Sequence, residues 1–235
     1  MTTTTKFYIG ALALLATSSL FAQQGGSCCT WFPKGDDDSQ GVLGKRYAEA
    51  GLLFEDIRHT SHNLYGAGLG ANVPVLKNVD LSVGYEYGTY NIPTYSYASG
   101  TRVGDMHVHN HSVGGSLQVF NEIEDGVKPF VSLGLYRDLR DSSGPLNNIY
   151  AANRTEWDAE IGAEIPYKSF SLIPSIKYSD DFKTSSQSFQ TLTYSLEGNS
   201  WLTRRFGVFA RIAFSDVMHS SQDNWDYAAG IRVRF

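Results

Sequence analysis

VDLSVGYEYG, residues 79–88, sets Val79, Leu81, Val83, Tyr85 and Tyr87 on one side of an extended chain. Asp80, Ser82, Gly84, Glu86 and Gly88 fall on the other. Side chains of a strand alternate between its two faces, so this segment reads as a strand with one apolar and one polar face. A helix would mix the two sets around its circumference. EWDAEIGAEI (156–165) repeats the pattern, with Trp157, Ala159, Ile161, Ala163 and Ile165 opposing Glu156, Asp158, Glu160, Gly162 and Glu164. In FGVFARIAFS (206–215) and YAAGIRVRF (227–235), Arg211, Arg232 and Arg234 are again confined to the second face. A slip of one residue would exchange the faces, which makes the register strongly specified.

Working outward from these segments, about ten strands of the length needed to cross hydrocarbon follow from Lys45 onward. They fall near 46–57, 64–75, 79–90, 106–120, 127–138, 155–167, 170–179, 188–200, 205–215 and 225–235. The fold class is therefore all-β, an antiparallel up-and-down barrel of ten strands, with eight as the alternative count. Alternation does not say which face points outward. A soluble lipocalin-like barrel would turn the apolar face in, and a membrane barrel turns it out.

Four features favour the membrane arrangement. Short connections (Val75–Asn78, Glu122–Gly126, Tyr167–Ser169) alternate with long ones (Thr89–Asp105, Leu139–Arg154), as expected for periplasmic turns and external loops. An even strand number returns both ends to one side. Apolar-face aromatics gather near strand ends, with Tyr85, Tyr87, Trp157, Tyr178, Phe214 and Trp225 at one level and Tyr167, Phe170, Phe206 and Phe235 at the other. Finally, Pro74, Pro129 and Pro166 lie toward the short-turn ends, where losing a ladder donor costs least, and only Pro174 lies further in.

The rest of the chain fits an exported protein. Lys6 precedes the apolar run FYIGALALLATSSL (7–20), and the small Ala22 follows. That is the organisation of a cleaved signal peptide over 1–22, too short for a comfortable transmembrane helix. Residues 23–44 read as a periplasmic tail and 45–235 as the barrel. Cys28 and Cys29 are adjacent and do not pair readily with each other, and their role stays open. Gly25, three places before Cys28, does not suit a lipid-anchor motif. In GDDDSQG (35–41), Asp36, Asp38 and Gly41 have calcium-loop spacing, but Tyr47 stands where a bidentate Glu is required. The net charge of -5 gives no basic stripe for phosphates, which excludes a nucleic-acid partner.

The ending GIRVRF (230–235), closing on Phe235 with apolar residues alternating back from it, resembles the C-terminal signal of bacterial outer-membrane β-barrels. With the signal peptide, the chain is similar in pattern to the small opacity-like barrel superfamily over most of 45–235. The resemblance implies a Gram-negative outer-membrane location and lipid and lipopolysaccharide as surroundings. It also implies recognition of Tyr227, Ile231, Val233 and Phe235 by the barrel-insertion machinery. Many members have eight strands, so ten is a departure.

In a barrel of this size the inward charges at mid-height are Glu49, Glu86, Glu160, Glu164 and Glu197 against Lys177, Arg211 and Arg232. Buried charges need partners. The expected pairs are Lys177 with Glu160, Arg211 with Glu197, and Arg232 with Glu49. Such a network either plugs the barrel or lines a narrow channel, and Glu55, Glu156 and Asp158 higher up would make that channel favour small cations. No cofactor is expected. His59, His62, His107, His109, His111 and His219 map to the external rim. His107, His109 and His111 share one strand face, a spacing that admits two imidazoles on one metal with Asp105 or Asp216 nearby, or simple rim decoration.

The expectation is a protein that is not an enzyme. Two catalytic readings compete with it. An omptin-like protease would draw on Asp180, Asp181, Asp216 and His219. A lipid A deacylase would need a pair such as His219–Ser221 or His111–Ser112. Neither supplies a nucleophile and base with an orienting acid. The principal alternative role is binding of surface ligands through long external loops, above all YNIPTYSYASGTRVGD (90–105), which is rich in Tyr and Ser.

Overall fold

The computed structural model describes residues 41–57, 63–95, 100–143, 153–167, 170–182, 190–217 and 223–235. The signal segment, Cys28, Cys29, Asp36, Asp38, His59, His62, His219 and Ser221 lie outside them. Ten antiparallel strands close into a barrel: β1 (Tyr47–Ile57), β2 (Asn63–Leu76), β3 (Val79–Tyr95), β4 (Arg102–Phe120), β5 (Lys128–Ser143), β6 (Arg154–Tyr167), β7 (Phe170–Asp181), β8 (Thr191–Trp201), β9 (Phe206–Val217) and β10 (Asp223–Arg234). Each strand pairs with its sequence neighbours, and β1 pairs with β10 to remove the sheet edges.

Every strand expected from the alternation is present, and most bounds agree within a few residues. The main correction concerns the second external loop. Tyr90–Tyr95 and Arg102–Asp105 are strand, paired through Tyr90↔Val108 and Pro93↔Asp105. β3 and β4 reach 17 and 19 residues, against 12 for β9 and β10. The hydrophobic alternation lapses there, but the Tyr, Ile and Thr content still suits a pleated ladder. This hairpin therefore projects well past the others, at about 3.3 Å per residue.

Turn chemistry closes the other end. Lys77 and Asn78 join β2 to β3, with Asn78 at φ 66°, a left-handed conformation that Asn tolerates. Before it, the ladder slips between Pro74 and Leu76, where proline has no N–H to give. We call this the turn end, and the opposite end the loop end.

Burial settles the orientation of the two faces. Leu52, Leu133 and Ile161 are 72%, 66% and 58% exposed, whereas Asp158 and Arg232 are 6% and 4% exposed. Apolar side chains cover the outside and ionic ones occupy the centre, the inverse of a soluble barrel. Outward aromatics pair near the strand ends: Trp157 with Tyr178 and Phe214 with Trp225 toward the loops, Tyr167 with Phe170 toward the turns. They form the two interfacial girdles.

Candidate functional site in the barrel interior

The interior is built in three layers. The lowest is a strap, residues 41–45, laid across the turn end just before β1 begins. Its sequence, GVLGK, carries an apolar pair between two glycines, and Gly44 takes φ 79°, which turns the chain up into the wall. Glu164 of β6 accepts the backbone N–H of Val42 at 2.6 Å and of Leu43 at 3.2 Å, and the hydroxyl of Ser171 at 3.1 Å. Asp80 of β3 accepts the N–H of Gly44 at 2.8 Å and the amide of Asn72 at 3.0 Å. Trp201 donates to the carbonyl of Gly41 at 3.1 Å, Lys128 to that of Leu43 at 3.2 Å, and Asn72 to that of Lys45 at 2.8 Å. The anchors come from β2, β3, β5, β6 and β8, so the strap spans the mouth. Leu43 completes a small core with Phe120, Phe130 and Ile173. Backbone groups out of water need such partners, and here most of the strap finds them in the wall.

Above the strap lies an ionic ring. Arg232 of β10 donates to Glu49 of β1 at 2.7 Å and to Glu197 of β8 at 2.9 Å. Its guanidinium also stacks over Phe209 at 4.4 Å and Tyr47 at 5.0 Å. One fork thus bridges carboxylates from opposite sides of β9 and packs against two aromatic rings. Asn199 adds a bond to Glu197 at 3.0 Å.

The third layer is a vestibule of about 420 Å³ in the loop-end half. Carboxylates project into it from five strands: Glu55 from β1, Glu86 from β3, Asp138 from β5, Glu156, Asp158 and Glu160 from β6, and Asp226 from β10. Only Lys177 and Arg211 answer them among the lining residues. Arg154 bridges Asp138 at 3.3 Å and also pairs with Glu156. Glu55 accepts from Asn224 at 2.7 Å, and Asp226 from Ser215 at 3.2 Å. Glu86, Asp158 and Glu160 take part in none of the ion pairs among the described residues.

Of the expected interior charges, Arg232 and Glu49 pair as anticipated, Glu197 joins them on the same guanidinium, and Glu86, Glu160, Lys177 and Arg211 line the vestibule. Two expected pairs are corrected. Lys177 is the register partner of Glu160 and Arg211 of Glu197, yet neither closes an ion pair. Arg232 already holds Glu197, while Arg211 stands in the shared field of Glu86, Glu197, Glu49 and Asp226. Glu164 is a further correction: it sits at the turn end, 1% exposed, holding the strap rather than a cation. The strap corrects the expectation of a free tail over residues 23–44, whose last four residues are built into the barrel. The pair Val42–Leu43 beside an acidic run was the sequence signal for it, together with inward Asp80 and Glu164 lying at strand ends.

The described histidines lie on the outward face of β4. His111 Nδ1 is 2.7 Å from the Tyr85 hydroxyl, His109 Nδ1 is 2.8 Å from that of Tyr87, and His107 Nδ1 is 2.6 Å from Asn91. Each ring has its own partner, and among the described residues no three His, Cys, Asp or Glu side chains are grouped to hold a metal. Asp180 accepts from Tyr178 and Gln190, at 3.2 and 3.3 Å. Tyr227, Ile231 and Phe235 are exposed on the outer face, at 42%, 53% and 38%, whereas Val233 beside them is half-buried.

A closed antiparallel barrel with lipid-facing hydrophobes and an ionic centre is an integral barrel of the bacterial outer-membrane class. No family model and no curated protein matches the sequence. Among solved structures, the chain is similar to the translocator domain of the autotransporter NalP from Neisseria meningitidis, at 12% identity over 97% of this chain and 98% of that one, with a TM-score of 0.52. It is also similar to the β domain of the Bordetella autotransporter BrkA (12% identity, 83% and 100% covered, TM-score 0.49) and to the outer-membrane protease OmpT of Escherichia coli (10%, 85% and 100%, 0.45). At such identities the likeness is one of fold.

Proposed function

We propose that the protein is a non-conducting outer-membrane barrel, closed on the periplasmic side and presenting an acidic vestibule and a projecting hairpin to the exterior. The observation that carries this reading is the strap. Residues 41–45 are held by side chains of five strands across the turn end, and Arg232 gathers Glu49 and Glu197 directly above. A porin keeps its lumen open, whereas a strap anchored across the mouth obstructs a water path through the base. The interior charges then serve stability at the base and surface chemistry at the top, and no reaction is assigned to the protein. The opacity-like superfamily remains the nearest pattern in sequence, with two strands more than many of its members. The mature protein in a planar bilayer should give a flat current trace at high loading. Discrete conductance steps would overturn the reading.

The projecting β3–β4 hairpin favours surface contact as the role of the outer end. Tyr90 and Asn91 continue the ladder beyond the shorter strands, on a rigid two-stranded arm. Lipopolysaccharide and cell-surface ligands are the partners such an arm can reach. Loss of cell-surface binding on deletion of residues 91–106, with the heat-shifted gel mobility of the barrel retained, tests this part.

A further inference from the structure

We infer that the vestibule is a binding site for an extended organic polycation, a linear polyamine in chemical class. The inference rests on the closed-barrel reading, because an open lumen would pass such a molecule instead of holding it.

Three observations carry it. First, the carboxylates are spread rather than convergent. They stand on five strands around a space of about 420 Å³, within the size range of small-molecule sites. A calcium or magnesium ion needs six or more oxygens drawn to one point, and among the described residues no three candidate ligands are so grouped. A chain carrying several ammonium groups meets separated carboxylates one at a time.

Second, an uncharged polar group in the wall is unused. Ser132 lines the vestibule, is 6% exposed, and its hydroxyl takes part in no hydrogen bond among the described residues. An ammonium brings three donors, one of which such an acceptor can take.

Third, carboxylates outnumber the resident cations. Seven line the vestibule against Lys177 and Arg211, neither of which closes an ion pair among the described residues, while Arg154 is taken up by Asp138 and Glu156. A cleft with an excess of one charge and low-dielectric walls concentrates counter-ions of the opposite sign.

The test is calorimetric titration of the full mature protein, folded in zwitterionic detergent at low salt, with spermidine. One saturable site per barrel is expected, weakened about 10-fold or more in Asp158→Asn/Glu160→Gln, the loss of roughly 1.4 kcal/mol that each decade represents. Asp56→Asn/Asp141→Asn, which removes two carboxylates outside the vestibule, should bind as the wild type does. Magnesium at equal charge should not saturate the site. Absence of a saturable site, equal weakening in both double variants, or tighter binding of magnesium would each overturn the inference. The heat-shifted gel mobility of every variant confirms that it has folded. Spermidine flux across vesicles carrying the wild-type barrel would instead overturn the closed-barrel reading, so the two failures are distinguishable.

Discussion

Glu164 reaches across 122 positions of sequence to take the backbone N–H of Val42 at 2.6 Å, and that contact fastens the segment before β1 into the base of the barrel. Its second oxygen holds Leu43, and Ser171 completes the set. The carboxylate closes no ion pair among the described residues, although Lys128 stands opposite it in the ladder and holds the carbonyl of Leu43. Its stabilisation comes from donated hydrogen bonds, the arrangement that suits a charge placed against the ends of backbone dipoles.

Replacing Glu164 by Ala strands two buried N–H groups. Each unsatisfied donor costs about 1–3 kcal/mol. We expect Glu164→Ala to lower the temperature of the gel-mobility transition markedly and to expose the chain near residue 41 to protease. Glu164→Gln keeps one acceptor oxygen and should fall between the two. Unchanged protease resistance in the Ala variant would show that the strap is not held by this residue.

Arg232 makes a different prediction, because its two carboxylates depend on it. Its side chain is 5% exposed, with Glu197 at 15% and Glu49 at 31%. Removing the cation alone leaves two partly buried anions facing each other, and breaking a buried pair costs about 3–5 kcal/mol. Arg232→Met should therefore shift urea unfolding in vesicles strongly. The triple variant Arg232→Met/Glu49→Gln/Glu197→Gln should recover much of the loss. A triple variant no better than the single one would mean that the rings of Phe209 and Tyr47, not the charges, carry the stability of this layer.

The C-terminal residue separates assembly from stability. Phe235 lies on the outer face and is 38% exposed, so its truncation removes only part of a side chain's contact with lipid. Phe235→Ala is expected to change the stability of the refolded barrel by at most about 1 kcal/mol. If the ending works as its resemblance implies, the same change should sharply reduce the folded fraction in cells. Quantifying folded against unfolded bands in outer-membrane fractions checks this, and an undiminished band would remove the assigned role.

Much of the architecture was legible because period two is enforced wherever lipid meets one face and charge the other. Ile161 and Glu160 cannot exchange places without placing a carboxylate in hydrocarbon, so the sequence must declare its register there. The constraint ends where the membrane does. Tyr90–Tyr95 need not alternate, so period two marks no strand there although these residues continue the ladder. The interior was half legible for a related reason. Parity places Arg211 and Arg232 inside but does not say at which height two long side chains converge, and Arg232 reaches past β9 to claim Glu197 from Arg211. The strap lay beyond either rule, since five residues without regular structure have no period to read.

Leu133 gives the most direct test of orientation. It stands on the outer face of β5, five residues from the turn end, paired with Ala159 and Leu117 and 66% exposed. On a soluble protein, replacing so exposed a leucine by arginine would change stability by no more than about 0.5 kcal/mol. On the lipid face of a membrane barrel, arginine near the bilayer midplane costs about 2–4 kcal/mol, falling toward zero at the interface. Leu133→Arg should therefore depress folding into lipid vesicles by that amount, and Tyr167→Arg, in the turn-end girdle, by much less. The depth dependence matters more than either value alone, because general disruption of the strand would penalise both sites alike. Equal, small effects at the two positions would mean that water rather than lipid covers this face.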